Sequence, residues 1–136
     1  MKQNQASSTE PWRIRRADYA DLEDVLRLWA RMMREHEKAD ARIRLAAGAL
    51  AAYRSYAGYH LTNGHSRVLV AEAGGEVIAF CLMTITRNLP MFLPDRYGYL
   101  SDLYVDPAYR RRGIGRRIVA ELIDWLAEHR ISSVQL

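Results

Sequence analysis

The sequence predicts a single α+β domain, and three observations carry that expectation. Stretches of alternating apolar residues are interleaved with stretches of helical spacing, so strands and helices share the chain. A Gly74-Gly75 pair separates two apolar runs, the signature of a tight hairpin between neighbouring strands. A later strand runs into a basic glycine loop that opens an amphipathic helix, residues 100–117, LSDLYVDPAYRRRGIGRR. A length of 136 residues suits one domain around one core.

Residues 1–10 are polar and expected to form a disordered tail, which leaves 11–136 as the domain. Residues 12–16 alternate as a short strand. Asp18 is placed to cap the helix that follows, and Asp21 adds negative charge at that helix's positive end. Leu22, Val25, Leu26, Trp29 and Met33 recur at helical spacing, a stripe that reaches about His36. A second helix, rich in alanine, is expected over 43–60 and carries Leu45, Leu50 and Tyr53. Strands are expected over 67–73 and 76–86, joined by the two glycines.

Pro90 and Pro94 make 88–96 a loop. A strand over 97–105 follows, then the glycine loop and a helix over 114–128. That helix sets Ile114, Ile118, Leu122, Trp125 and Leu126 on one side. Residues 131–136 begin a further strand, giving the order β-α-α-β-β-β-α-β. Trp29, Met33 and Trp125 stand at helical spacing and are read as core.

Composition narrows the function classes. The chain is 49% hydrophobic and 26% charged, the balance of a globular protein. Its net charge of +4 suits an anionic ligand without identifying one. The lone Cys81 excludes an intramolecular disulfide and sits in an apolar run, so a buried thiol is expected. A nucleophilic role would want a positioned histidine, and His36, His60, His65 and His129 show no pattern with it. No apolar stretch approaches the roughly 20 residues of a membrane span, and the polar N-terminus does not read as a signal peptide. The expectation is a cytoplasmic enzyme with no membrane partner and no metal.

The glycine loop carries the chemistry. A helix start offers backbone N–H groups without intrahelical partners, and its dipole favours negative charge. Glycines at 113 and 115 let a phosphate approach the backbone closely, and the arginines add fixed positive charge. A P-loop would need Gly-Lys-Ser/Thr, where Arg116-Arg117 stand instead, and a dinucleotide loop would need a third glycine, where Ile118 stands. Five of the eight residues over 110–117 are arginine, so a nucleic-acid stripe is the competing reading. Such a stripe has no need of two glycines at a strand-to-helix junction, and no helix-turn-helix or zinc spacing accompanies it. No nucleic-acid partner is expected.

The form Arg/Gln-x-x-Gly-x-Gly/Ala, filled by Arg110, Gly113 and Gly115, resembles the acetyl-CoA loop of the GNAT superfamily of N-acetyltransferases. Leu103, Val105 and Pro107 precede it at that family's usual spacing. The resemblance runs from the first strand to the fifth and implies a mixed, mostly antiparallel sheet flanked by helices. Family members generally continue with a further helix and two strands, so the resemblance describes a C-terminally truncated domain. That further helix often carries a tyrosine thought to protonate the leaving thiolate, a role no residue here can be assigned.

The resemblance implies direct transfer of an acetyl group from acetyl-CoA to an amine of a small molecule or peptide. It assigns backbone groups of Leu103, Tyr104 and Val105 to the pantetheine arm, with the Leu103 amide facing the thioester oxygen. It lays the pyrophosphate against the amides of Arg111, Arg112, Gly113, Ile114, Gly115 and Arg116, with Arg110 supporting the loop or a phosphate. Asp102 is the candidate general base or acceptor contact, although many relatives have an acidic pair where this chain has Ser101 and Asp102. The acceptor cleft is expected near Glu35, His36, Glu37 and Asp40 and the loop residues Met91, Phe92 and Asp95, with His36 half-buried on the apolar stripe. A non-catalytic CoA-binding module is the alternative function. An uncovered fifth strand leaves a second copy, or another partner that completes the sheet, open.

Overall fold

Residues 77–83, VIAFCLM, are buried one after another because the strand they form is covered on both faces. The computed structural model describes residues 11–136, and the expected tail 1–10 lies outside the described residues. Five strands lie in the order β1 (Trp12–Arg16), β2 (Ser66–Ala73), β3 (Glu76–Arg87), β4 (Arg96–Val105) and β5 (Val134–Gln135). The first four pair antiparallel, and β4 pairs β5 in parallel. The sheet is therefore mixed and mostly antiparallel, flanked by three helices.

Two-residue alternation sorts the core into two layers. Val68, Val70, Phe80, Leu82 and Tyr104 pack under helices α1 (Leu22–Ala39) and α2 (Ala49–Thr62). Leu69, Ala71, Cys81 and Met83 face helix α3 (Ile114–Glu128), which returns Ile114, Ile118, Leu122, Trp125 and Leu126. Trp29 and Trp125 are buried, as their spacing predicts. The Gly74-Gly75 turn has φ of 58° and 81°, which only the missing Cβ makes easy.

Three expectations are corrected. The second helix begins at Ala49, not 43, because Gly48 takes φ 79° as its N-cap and the chain before it turns about Asp40. There the Asp40 carboxylate accepts the Arg42 N–H and guanidinium, and Leu45 and Leu50 stay exposed. Asp18 does not cap α1 directly. It accepts the Ala20 N–H of a 3₁₀ turn, Tyr19–Asp21, which then leads into α1. The fifth strand is only Val134–Gln135, because Arg130 adopts φ 62° past α3, and Ile131 N–H donates back to the Leu126 carbonyl at 2.9 Å. That helix-ending turn buries Ile131 against the α3 layer before the strand can start.

Candidate active site

Strand β4 is interrupted near its middle. Leu82 stands opposite Asp102 and Met83 opposite Leu100, so Ser101 is an extra residue, a β-bulge. On one side of the bulge, Gly98 N–H donates to Ser133 O toward β5. On the other side, Asp106 N–H donates to Ile78 O of β3, so Tyr104 faces β3 and Leu103 and Val105 face the opposite edge. Strand β5 pairs only with Gly98 and Tyr99, and no strand of the described residues meets that edge at Leu103 or Val105. The Val105 carbonyl is instead taken by the Arg110 Nε at 2.8 Å.

After β4 the chain makes a single 3₁₀ turn, Pro107–Tyr109, capped by Asp106, which accepts the Ala108 N–H and pairs with Arg31 at 3.0 Å. Arg111 then takes φ 64° and Gly113 φ 85°, turning the backbone so that α3 starts with no side-chain cap. The N–H groups over 111–116 find no acceptor among the described residues. A Cβ at Gly113 or Gly115 would meet nothing within 4 Å, so the space beside these amides is open. Arg111, Arg112 and Arg116 make no ion pair among the described residues, while Arg112 lies over the Tyr109 ring at 5.1 Å. The result is a run of donors at a positive helix end with room for an anion.

A cleft of about 330 Å³ joins this loop to the free edge of β4, lined by Met32, Glu35, His36, Leu103, Tyr104, Val105, Arg110 and Gly115. Its floor is a cluster that was not legible in the sequence. The Tyr104 hydroxyl donates to Glu35, Arg110 donates to the same carboxylate at 3.1 Å, and the guanidinium lies 5.2 Å over the Tyr104 ring. Tyr104, and then Arg110, hold the Glu35 carboxyl below its usual range, and burial pushes the Tyr104 hydroxyl up. Arg110 thus ties loop, strand and α1 together, its guanidinium engaged by Glu35 and Val105.

Asp102 lies beside the cleft and is not among its lining residues. Its carboxyl turns toward α2, where the Tyr53 hydroxyl donates to Oδ2 at 2.9 Å and Ser101 Oγ reaches the same oxygen at 3.2 Å. Burial pushes the Asp102 carboxyl above the ordinary carboxylate range, against the pull of those two donors and of His36. Tyr53 is stacked on Trp29, centroids 4.3 Å apart and planes 7° from parallel. Its hydroxyl is pushed well up, first by burial and then by the Asp102 charge. Tyr56 donates to Ser101 Oγ at 3.4 Å, and its ring meets His60 edge-on.

Other expected acceptor-site residues are not gathered here. Met91, Phe92 and Asp95 are exposed on their loop, and Glu37 and Asp40 are likewise absent from the lining. His36 does line the cleft, but it is exposed and not half-buried, since the apolar stripe ends one turn earlier. The sequence reading missed Tyr53 and Tyr56 as site residues; their spacing with His60 along one face of α2 was the available signal. Among the described residues no group of three His, Cys, Asp or Glu could hold a metal ion, and no helix is long and apolar enough to cross a membrane.

Comparison with known proteins agrees with this architecture. An uncharacterised N-acetyltransferase of Archaeoglobus fulgidus is 28% identical over 115 residues, covering 85% of this chain and 74% of that protein. The crystal structure of a GCN5-related N-acetyltransferase from Ralstonia eutropha superposes with a TM-score of 0.73 at 30% identity, over 92% of this chain and 82% of that one. An acetyltransferase from Clostridium acetobutylicum, crystallised with acetyl-CoA, shares the fold with a TM-score of 0.74 at 21% identity, over 92% and 79% of the two chains. The model of the acetyltransferase (GNAT) family matches residues 22–136. With that match over most of its length, the chain belongs to the GNAT family of acetyltransferases.

Proposed function

We propose that the chain moves an acetyl group from acetyl-CoA to an amine of a small molecule or peptide. The observation that carries this reading is the run of unpartnered N–H groups over 111–116 beside open space at Gly113 and Gly115, continuous with the free edge of β4. The residues fit the donor. The amides over 111–116 and the cations of Arg111, Arg112 and Arg116 hold the pyrophosphate. Leu103 and the Val105 N–H pair with the amides of the pantetheine arm as a neighbouring strand would. Bound acetyl-CoA supplies the thioester that is consumed and the thiol that leaves.

The chain's own groups do the rest. The Leu103 N–H donates to the oxygen on which negative charge develops, a contribution worth about 3–4 kcal/mol for one well-placed donor. Cleft walls that hold amine and thioester in line supply more, up to roughly 7–11 kcal/mol in the best intramolecular cases. Asp102, destabilised as an anion by burial, takes the proton from the incoming ammonium. Arg110 acts on the loop through Glu35 and Tyr104, which keep the cleft's floor in place.

Calorimetric titration with acetyl-CoA tests this, with Gly113→Glu as control and spermidine, kanamycin and an alanyl peptide as a first amine panel. Binding is expected in the wild type and lost in the variant, because a carboxylate at 113 fills the anion's place and strains a position at φ 85°. Thiol release with a panel amine is expected beside binding. Equal affinity in both proteins overturns the loop assignment, and binding without thiol release by any amine leaves a CoA-binding module.

A further inference from the structure

We infer that Tyr53 is a positioning residue for Asp102: together with Ser101 it holds Oδ2, which leaves Oδ1 as the oxygen that receives the amine's proton. The inference rests on the reading of Asp102 as base. A carboxylate that must accept a proton at one oxygen works best when its other oxygen is fixed, since free rotation about χ2 would spread the basic lone pairs over many directions. Here both side-chain donors go to the same atom, Tyr53 Oη at 2.9 Å and Ser101 Oγ at 3.2 Å, and Oδ1 has no donor among the described residues.

Each donor is itself immobilised. Tyr53 cannot swing away, because its ring is buried and stacked on Trp29 of α1. Ser101 is the bulge residue, and the bulge is what brings two consecutive β4 side chains, Ser101 and Asp102, to one carboxylate oxygen. Ser101 Oγ also reaches the Leu82 carbonyl at 3.3 Å and accepts from Tyr56, so its single proton is shared, whereas Tyr53 has one acceptor. Tyr53 is therefore the stronger anchor of the two. It supplies from α2 what a second acidic residue at 101 would not, a donor that fixes Asp102 without adding charge.

The titratable groups that face Asp102 are His36 from α1 and Tyr53 from α2, with Tyr56 one step beyond on Ser101 and Cys81 on the opposite face of the sheet. The test must therefore separate Asp102 from His36. Carboxyl ¹³C NMR of uniformly labelled protein follows the Asp102 titration in wild type, Tyr53→Phe and Ser101→Ala, with Asp102→Asn assigning the resonance. The pH dependence of kcat/KM is measured in the same set with the panel amine that gives most thiol release, and His36→Gln serves as control.

Tyr53→Phe keeps the stacked ring and deletes only the hydroxyl. It is expected to move the Asp102 titration, and with it the acidic limb of kcat/KM, up by about one pH unit, so that activity falls roughly tenfold on that limb and recovers on the alkaline side. The KM for acetyl-CoA stays put, because Tyr53 does not line the cleft. Ser101→Ala moves both in the same direction by less. If the limb persists in Asp102→Asn, the base reading fails and the inference falls with it. If the limb vanishes there but is unmoved in Tyr53→Phe, Asp102 stands as base and Tyr53 is only core.

Discussion

Arg15 grips Asp21 through two parallel N–H···O bonds, Nη1 to Oδ2 at 2.8 Å and Nη2 to Oδ1 at 2.9 Å. This fork joins the first strand to the turn that starts α1, and Asp21 also accepts the Asp18 N–H at 2.9 Å. The Asp21 side chain is only 8% exposed, and removing it takes both forked bonds from a half-buried cation, leaving Arg15 only Glu72, which its Nε reaches at 3.2 Å.

Asp21→Ala is expected to cost about 2–4 kcal/mol near neutral pH, below the full value for a buried pair because Arg15 keeps Glu72 and some contact with water. The hydrogen bond from Arg15, above all, holds the Asp21 carboxyl below its ordinary range. Its stabilisation is thus present above the unfolded carboxylate pKa and lost as pH falls through the lower folded value. Denaturant melts should show the gap between wild type and variant closing in acid. A gap constant with pH would mean that the pair contributes packing and not charge.

Asp102 has the opposite sign. Burial, the largest cause, raises its carboxyl above the usual range, so the native state keeps that proton to higher pH than the unfolded chain does. Wild-type stability therefore declines as pH rises from the ordinary carboxylate range through the folded value. Asp102→Asn escapes this decline and is expected to match wild type in acid and exceed it near neutrality. Parallel stability curves for the two proteins would reject the raised carboxyl.

Gly98 is fixed by contact and not by dihedral. A Cβ there would lie 2.6 Å from Leu126 Cδ1 and 3.1 Å from Met83 Sδ, both in the packed layer beneath α3. Gly98→Ala is expected to lower stability by about 1–3 kcal/mol through overpacking. Differential scanning calorimetry would read this as a lower Tm, and an unchanged Tm would mean that Leu126 repacks freely.

Cys81 is fully buried, and burial pushes its thiol up to about 12. Thiolate is the reactive form, so an aromatic disulfide reagent should leave the native protein untouched for as long as it stays folded. One equivalent should react promptly in strong denaturant. Fast native-state labelling would mean that β3 opens on its own.

Much of this was legible because local signals agreed with tertiary ones. The first strand and α3 fall on their predicted residues, since alternation and helical spacing there coincide with faces that are buried. The glycine turn at 74–75 was legible because few other residues take positive φ in succession. The start of α2 was not: alanine-rich residues before Gly48 suit a helix locally, and only the turn at Asp40 shows otherwise. In the candidate site, the turn before α3 and the helix start at Ile114 could be read because Gly113 and Gly115 stand together after the strand. Tyr53 could not be paired with Asp102 from spacing, because their contact spans 49 residues and depends on a stack with Trp29. Arg110 shows the same limit, since its engagement with Glu35 spans 75 residues.

The extra residue at Ser101 serves the carboxylate beside it more than the edge beyond it. Because Leu82 stands against Asp102 and Met83 against Leu100, removing Ser101 would close β3 and β4 into an unbroken ladder in which Leu103 still turns away from β3. Deleting a single serine would therefore take one donor from Asp102 while leaving every other pairing of the strand as it is. A designer who wished to loosen that carboxylate without disturbing the open edge could do so by shortening the strand by one residue there.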